Sequence, residues 1–190
     1  MAGIHQLWSM TLADSIIGPF AGSGQESLSD GPLATATLAQ PSGIATDGQK
    51  LYFADSETSS VRYADLEQTG GVRTIVGLDL FVFGDVDGAD HRVRLQHPLG
   101  IDYFDGVLYV ADTYNHKIKR VFQATRGAFT LLGACEAGFQ DGPGNQARFS
   151  EPSGLSIAGG KIYIADTNNH VIRVAALETL EVITLELTGL

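Results

Sequence analysis

Two stretches decide the fold: LYVADTYNHKIKRV at residues 108–121 and IYIADTNNHVIRVA at residues 162–175. They differ mainly by conservative exchanges, so one structural unit is written twice. A third, looser copy, LYFADSETSSVRYA, begins at Leu51. Its Asp55 matches Asp112 and Asp166, at steps of 57 and 54 residues. Two further markers keep the same register. One is Pro-x-Gly, at Pro41 and Gly43, Pro98 and Gly100, and Pro152 and Gly154. The other is an Asp-Gly pair, at Asp30-Gly31, Asp87-Gly88 and Asp141-Gly142. Three independent markers in step across three copies define an internal repeat.

Each copy divides into four short strand candidates between turn signals. In the third copy these are Gly154–Ile157, Lys161–Asp166, Val171–Ala175 and Glu181–Leu187. Asn and Gly between them suit tight turns, so each unit reads as a four-stranded antiparallel meander. The second strand is apolar on both faces, through Leu108 and Val110 on one side and Tyr109 and Ala111 on the other. A strand covered on both sides belongs to a sheet packed between two others. The first strand carries small residues, as in Gly43-Ile44-Ala45, which fit where sheets converge. The third strand alternates basic and apolar residues, as in Ile118-Lys119-Arg120-Val121, and is expected nearer solvent.

Four-stranded sheets packed radially make a β-propeller. The period here exceeds the usual 40–50 residues of such repeats, and the excess lies in the linker before each Pro-x-Gly, for example residues 133–151. With Asn115, His116 and Ile118, and again with Asn169, His170 and Ile172, the sequence resembles the NHL-repeat family of β-propellers, named for Asn, His and Leu. The first copy departs from this form, with Ser59 and Ser60 read in place of the Asn-His pair, while Asp55 and Arg62 remain. The long linker, DGPGNQARFSEPSGL at 141–155, is similar to that of members whose propeller follows a thioredoxin-like domain. No thioredoxin motif is present in these 190 residues.

His5, Leu7 and Trp8 align with His170, Ile172 and Arg173, so the chain is expected to open inside a blade, on its third strand. The predicted architecture is all-β. It has a half blade at 1–24 and blades at 25–77, 78–133 and 134–190, in a single propeller domain. That gives about three and a half four-stranded blades, fewer than the four to eight that usually close a ring. The chain therefore reads as a fragment of a larger propeller, with Met1 as an internal residue. Open faces of several hundred Å² would cost on the order of 10 kcal/mol at roughly 25 cal/mol per Å². Association of copies through those faces, as a homo-oligomer, is the expected response.

Composition narrows the function. Lys and Arg number 12 against 22 Asp and Glu, for a net charge of -10, and no basic run offsets it, so nucleic acid is not the expected partner. No apolar stretch reaches the roughly 18 residues of a membrane span, and no signal peptide is read at the N-terminus. The lone Cys135 gives neither a disulfide nor a CxxC pair and reads as a spare thiol. Asp85, Asp87 and Asp90 in DVDGAD hint at a calcium loop, but Gly88 sits at position 4 and Gln96 at position 12, where the loop needs Gly at 6 and Glu at 12. The repeated Asp-Gly turn explains them instead.

Asp55, Asp112 and Asp166 end the second strand, where an Asp can bond the backbone of the following turn. A basic residue on the next strand (Arg62, Lys119 or Arg173) is placed to pair with each. Recurrence once per blade argues for structure over catalysis, and the same holds for His116 and His170. Less repetitive are His91, His97, Asp102 and Asp105, candidates for one axial mouth of the propeller. A zinc site there lacks a third ligand. The sequence implies no cofactor, no metal and no catalytic residue. It points to a non-enzymatic module for protein or ligand interaction, with an axial-site lyase or hydrolase, or an accessory domain of a redox protein, as alternatives.

Overall fold

A computed structural model of the chain describes residues 5–134 and 136–186. Cys135, and Leu187 at the end of the expected last strand, lie outside the described residues. The chain opens with β1 (His5–Met10) and β2 (Ile17–Gly24), paired as a two-stranded antiparallel sheet. Three five-stranded sheets follow. The first holds β3 (Gly31–Pro32), β4 (Pro41–Thr46), β5 (Lys50–Asp55), β6 (Ser60–Asp65) and β7 (Gly71–Val76). The second holds β8 (Gly88–Ala89), β9 (Pro98–Phe104), β10 (Val107–Asp112), β11 (Lys117–Phe122) and β12 (Gly127–Leu132). The third holds β13 (Gly142–Pro143), β14 (Pro152–Ala158), β15 (Lys161–Asp166), β16 (Val171–Ala176) and β17 (Glu181–Thr184).

The order within every sheet is the same, for example β3-β7-β6-β5-β4. Four strands form the expected meander. The fifth is new: the Asp-Gly pairs, read from sequence as turns, begin two-residue strands on the outer edge of the fourth strand, as in Gly31 against Val72 and Gly142 against Val182. Each sheet is thus the expected four-stranded meander with a two-residue strand added at its outer edge.

The sheets pack face to face, and an apolar core fills each junction. Leu7, Leu38, Phe53 and Val72 lie between the two-stranded sheet and the first five-stranded one. Tyr52, Val61, Leu95 and Val110 fill the next junction, and Ile118, Leu132, Phe149 and Ile164 the last. Alternate residues of β5 and of β10 serve opposite junctions, which is why these strands read as apolar on both faces.

The innermost strands β4, β9 and β14 converge, and glycine sets their spacing. A Cβ on Gly43 would lie 2.5 Å from the Leu99 carbonyl oxygen, and one on Gly100 would lie 2.8 Å from that of Ser153. Asp102 adds a tie across one of these seams, its carboxylate accepting the Ile157 N–H at 2.7 Å. Gly154 holds the corresponding place in the third sheet, where an added Cβ would meet nothing nearer than the Ala165 Cβ at 3.7 Å. Alanine is therefore expected to destabilise the chain by about 1–3 kcal/mol at Gly43 or Gly100, through overpacking, and by under about 0.5 kcal/mol at Gly154. Urea denaturation of the three variants measures the difference, and equal losses at all three would show that the inner strands are not held at glycine distance.

Candidate functional site

The side chains singled out in the sequence fall into three assemblies. The first is a buried ionic clamp within each five-stranded sheet. In the first sheet, Asp55 at the end of β5 and Arg62 on β6 are both fully buried. Arg62 Nη1 donates to Asp55 Oδ2 at 2.8 Å and to the Thr37 carbonyl at 2.7 Å. Its Nη2 donates to Asp30 Oδ1 and to the Ser29 carbonyl, both at 3.1 Å. Arg173 repeats this with Asp166 at 2.8 Å, Asp141 at 2.6 Å and the carbonyls of Arg148 and Gln140. One cation is thus held between two carboxylates, with the planar fork of the guanidinium spanning both. The expectation that the third strand lies nearer solvent is overturned: Arg62, Lys119 and Arg173 are all 0% exposed. A charge is buried here because its terminal nitrogens are partnered, while the Nε of Arg62 and of Arg173 is buried with no hydrogen-bond partner among the described residues.

The strand-ending aspartates act differently from the turn role expected of them. Asp55, Asp112 and Asp166 each turn Oδ1 back to a backbone N–H sixteen residues earlier, in the linker, on Ala39, Gln96 and Ser150, at 2.7 Å in every case. The second carboxylate of each clamp was missed in the sequence, since Asp30, Asp87 and Asp141 read as turn residues. Each of them also accepts the N–H and hydroxyl of a threonine on the fourth strand, namely Thr74, Thr130 and Thr184. The available signal is the constant offset of 32 residues from carboxylate to cation.

The middle clamp departs from the other two. Lys119 replaces arginine, and its single nitrogen lies 2.8 Å from Asp85, 2.9 Å from Asp87 and 3.5 Å from Asp112. Asp85 also pairs with Lys117. The aspartates of the calcium-like stretch are therefore ion-paired to lysine, except for Asp90, which starts a single 3-10 turn. Burial pushes the Asp112 carboxyl up to about 6, against the opposing pull of Lys119, the Asn115 amide and the Gln96 N–H. Asp85 and Asp87, although partly buried, are held below the ordinary carboxylate range by hydrogen bonds and charge from lysine and, for Asp87, by Thr130.

The second assembly joins neighbouring sheets through the Asn-His turn. Asn115 and Asn169 each donate from the side-chain amide to the preceding aspartate and to a linker carbonyl, Gly84 or Gly138. His116 and His170 follow in left-handed backbone, both at φ 57°. His116 Nδ1 accepts the Glu151 N–H of the next sheet at 3.1 Å, and His5 Nδ1 accepts that of Gln40 at 3.3 Å. In the first copy Ser59, at φ 48°, takes this place, and its Oγ accepts the His97 N–H at 3.3 Å. The Asn-His pair therefore corresponds to Thr58-Ser59 and not to Ser59-Ser60, a one-residue correction that the left-handed backbone decides. The three residues that donate these N–H groups, Gln40, His97 and Glu151, all precede the repeated proline and all have positive φ.

The third set, His91, His97, Asp102 and Asp105, is not brought together. His91 lies in the 3-10 turn after β8, on the outer edge of the sheet, whereas Asp102 is on β9, the innermost strand. His97 precedes β9 and Asp105 follows it, so the two mark opposite ends of one strand. His97 instead stacks on Tyr114 at 4.7 Å and approaches Glu57 at 3.4 Å. Among the described residues no group of three or more His, Cys, Asp or Glu is placed to hold a metal ion.

Two outcomes follow for the clamps. Arg62→Leu leaves Asp55 buried without its cation and is expected to cost about 3–5 kcal/mol, or to prevent folding, and thermal unfolding reads the loss. Asp112 carries the pH dependence. Its carboxyl binds a proton more tightly folded, at about 6, than at its ordinary 3.8. The stability it contributes is full below pH 3.8 and is lost as pH rises through about 6. Between pH 4 and pH 7, Asp112→Asn should therefore gain about 2–3 kcal/mol relative to the parent. A constant difference across that range would place Asp112 outside the linkage.

Comparison with known proteins agrees with this geometry. The NHL repeat profile matches residues 95–121 and 149–175, the second and third copies. Protein SUPPRESSOR OF QUENCHING 1, chloroplastic, of Arabidopsis thaliana is 46% identical over 203 residues, covering all of this chain and 19% of the relative. NHL repeat-containing protein 2 of Gallus gallus is 43% identical over 205 residues, covering 94% of this chain and 28% of the relative. The chain thus spans less than a third of the curated relatives it matches. Among solved structures, an auxiliary nutrient binding protein from Bacteroides thetaiotaomicron superposes with a TM-score of 0.66 at 14% identity, over 97% of this chain and 44% of that one. A virginiamycin B lyase from Staphylococcus aureus gives 0.56 at 11% identity, over 98% and 50%. At these identities the likeness is one of fold. No helix among the described residues is long and apolar enough to cross a membrane. This chain is built of NHL repeats and has the β-propeller fold of that family.

Proposed function

We propose that the chain is a non-enzymatic interaction module, a rigid set of propeller blades within a larger protein. The observation that carries this reading is the commitment of the repeated acids and bases to structure. Each strand-ending aspartate and the third-strand cation paired with it (Arg62, Lys119 or Arg173) is fully buried and already bonded within the chain, which leaves none of them to touch a substrate. The non-repeated histidines and carboxylates that an axial enzyme would need lie apart. That the matched curated relatives are several times longer supports a role as one part of a multidomain protein.

The open faces supply a way to associate. On the two-stranded sheet and the turn that joins its strands, Trp8, Met10, Leu12, Ile16 and Ile17 are exposed, Leu12 to 87%. The third sheet presents the same inner strand, glycine and Asn-His turn that receive a neighbour at the other junctions. Copies of the chain are expected to associate through these faces. Light scattering over a dilution series should give a mass above the 20.2 kDa of one chain, falling as concentration falls, and Leu12→Glu with Ile16→Glu should shift it towards the monomer. A monomer at every concentration would remove the association, and turnover lost on changing His97 or Asp102 would replace the module reading with an enzymatic one.

A further inference from the structure

The junctions between sheets are alike in their clamps and staples but not in what fills the outer part of the seam. Between the second and third sheets, the turn from β16 to β17 packs Leu177 and Leu180 onto the shared core. The register pairs Val174 with Ile183 and Arg120 with Phe129, so Gln123 and Arg126 hold the same two places one junction earlier. The backbone is also the same: Leu180 and Arg126 are both left-handed, at φ 59° and 50°. Two apolar plugs have been exchanged for an amide and a guanidinium.

The exchange leaves a polar groove. Gln123 Oε1 accepts from Tyr52 Oη at 3.1 Å and from Lys50 Nζ at 3.5 Å, and Arg126 Nε donates to the Ile75 carbonyl at 3.2 Å. These contacts pin the turn across the first sheet beside an open groove of about 280 Å³, lined by Tyr63, Arg73, Thr74, Ile75, Gln123 and Arg126, with Asp30 on its wall. Arg73 uses only Nη1, on the Gly31 and Val72 carbonyls. The remaining N–H groups of Arg73 and Arg126 have no hydrogen-bond partner among the described residues. Asp30 already receives Arg62 and Thr74. Lys50 stands 4.9 Å over the Tyr63 ring and adds a third positive charge nearby. Two guanidinium groups with unused donors beside one pocket, in a chain of net charge -10, are a local feature and not a basic surface.

We propose that this groove binds a compact oxyanion, a carboxylate or phosphate group, between the guanidinium groups of Arg73 and Arg126, with Thr74 and Tyr63 beside it. Planar forks of N–H donors match both anions in geometry as well as charge. The site is complete within one chain and goes beyond the module reading, since it needs no association of copies.

The test is an amide-resolved NMR titration of the 190-residue chain with two probes, inorganic phosphate and an acetylated, amidated Gly-Glu-Gly peptide. Saturable shifts confined to Thr74, Ile75, Gln123 and Arg126 are expected from at least one probe. Phosphate alone would identify a free oxyanion, and tighter binding of the peptide an acidic side chain. The Gln123→Leu, Arg126→Leu double variant copies the third sheet, so it should fold and bind at least about tenfold more weakly. Arg73→Gln, at an exposed position of β7, gives a second reading should the double variant unfold. No saturable shift with either probe, or undiminished binding in Arg73→Gln or in a folded double variant, would overturn the site.

Discussion

One buried cation between two carboxylates organises each sheet, and most of the fold is arranged around that clamp. Desolvating the cation and its inner carboxylate is costly, and their attraction offsets the cost only when further hydrogen bonds and the half-exposed outer carboxylate support the pair. Those partners come from separate places in the chain. Arg62 gathers Asp55 from β5, Asp30 from the outer edge, and the Thr37 and Ser29 carbonyls from the linker. Asp55 holds the Ala39 N–H of the same linker, and Asp30 holds Thr74 of the fourth strand. The long linker, which makes this repeat exceed an ordinary propeller unit, is thus bonded into the sheet at both ends. Its length is what allows a carboxylate 32 residues upstream to reach the cation.

The same constraint explains the middle sheet. Lysine lacks the second arm that arginine extends to the outer carboxylate and the linker carbonyls. Lys119 meets its carboxylates with one nitrogen, and Asp85 and Lys117 join it there. The stretch that carries Asp85 resembles a metal loop in composition because an extra acid is required, and the requirement comes from lysine.

The blade repeat, its strands and the acid–base spacing of seven residues were legible in the sequence, because local patterning and recurrence encode them. What was not legible is instructive. Alternation of Lys and Arg with apolar residues on the third strand looked like a solvent face, since a cation is assigned to water unless both partners are known. One partner, Asp141 for Arg173, lies beyond a linker and sits in an Asp-Gly pair that also fits a turn. The slip in the first copy has a similar origin. Residue identity favoured Ser59-Ser60, whereas left-handed backbone at Ser59 sets the match, and backbone conformation is invisible where Ser stands in for His. The scatter of His91, His97, Asp102 and Asp105 over both edges and both ends of a sheet follows from strand order, which spacing alone does not reveal.

Repetition separates what holds the molecule together from what can vary. The clamp recurs in all three five-stranded sheets, the His or Ser staple at all three junctions, and the glycine contact wherever two innermost strands meet. Changing any of them disturbs a seam on which the neighbouring sheets depend. The outer plug of the seam carries no such burden. Leu177 and Leu180 close one junction by apolar contact, while Gln123 and Arg126 close another by hydrogen bonds to Tyr52, Lys50 and Ile75. Both solutions keep the sheets in register, and only one leaves unused donors beside a groove. In a fold whose repeated polar residues are consumed by its own architecture, side-chain donors are left unused where the repeat is broken, and at this junction it is broken with charge.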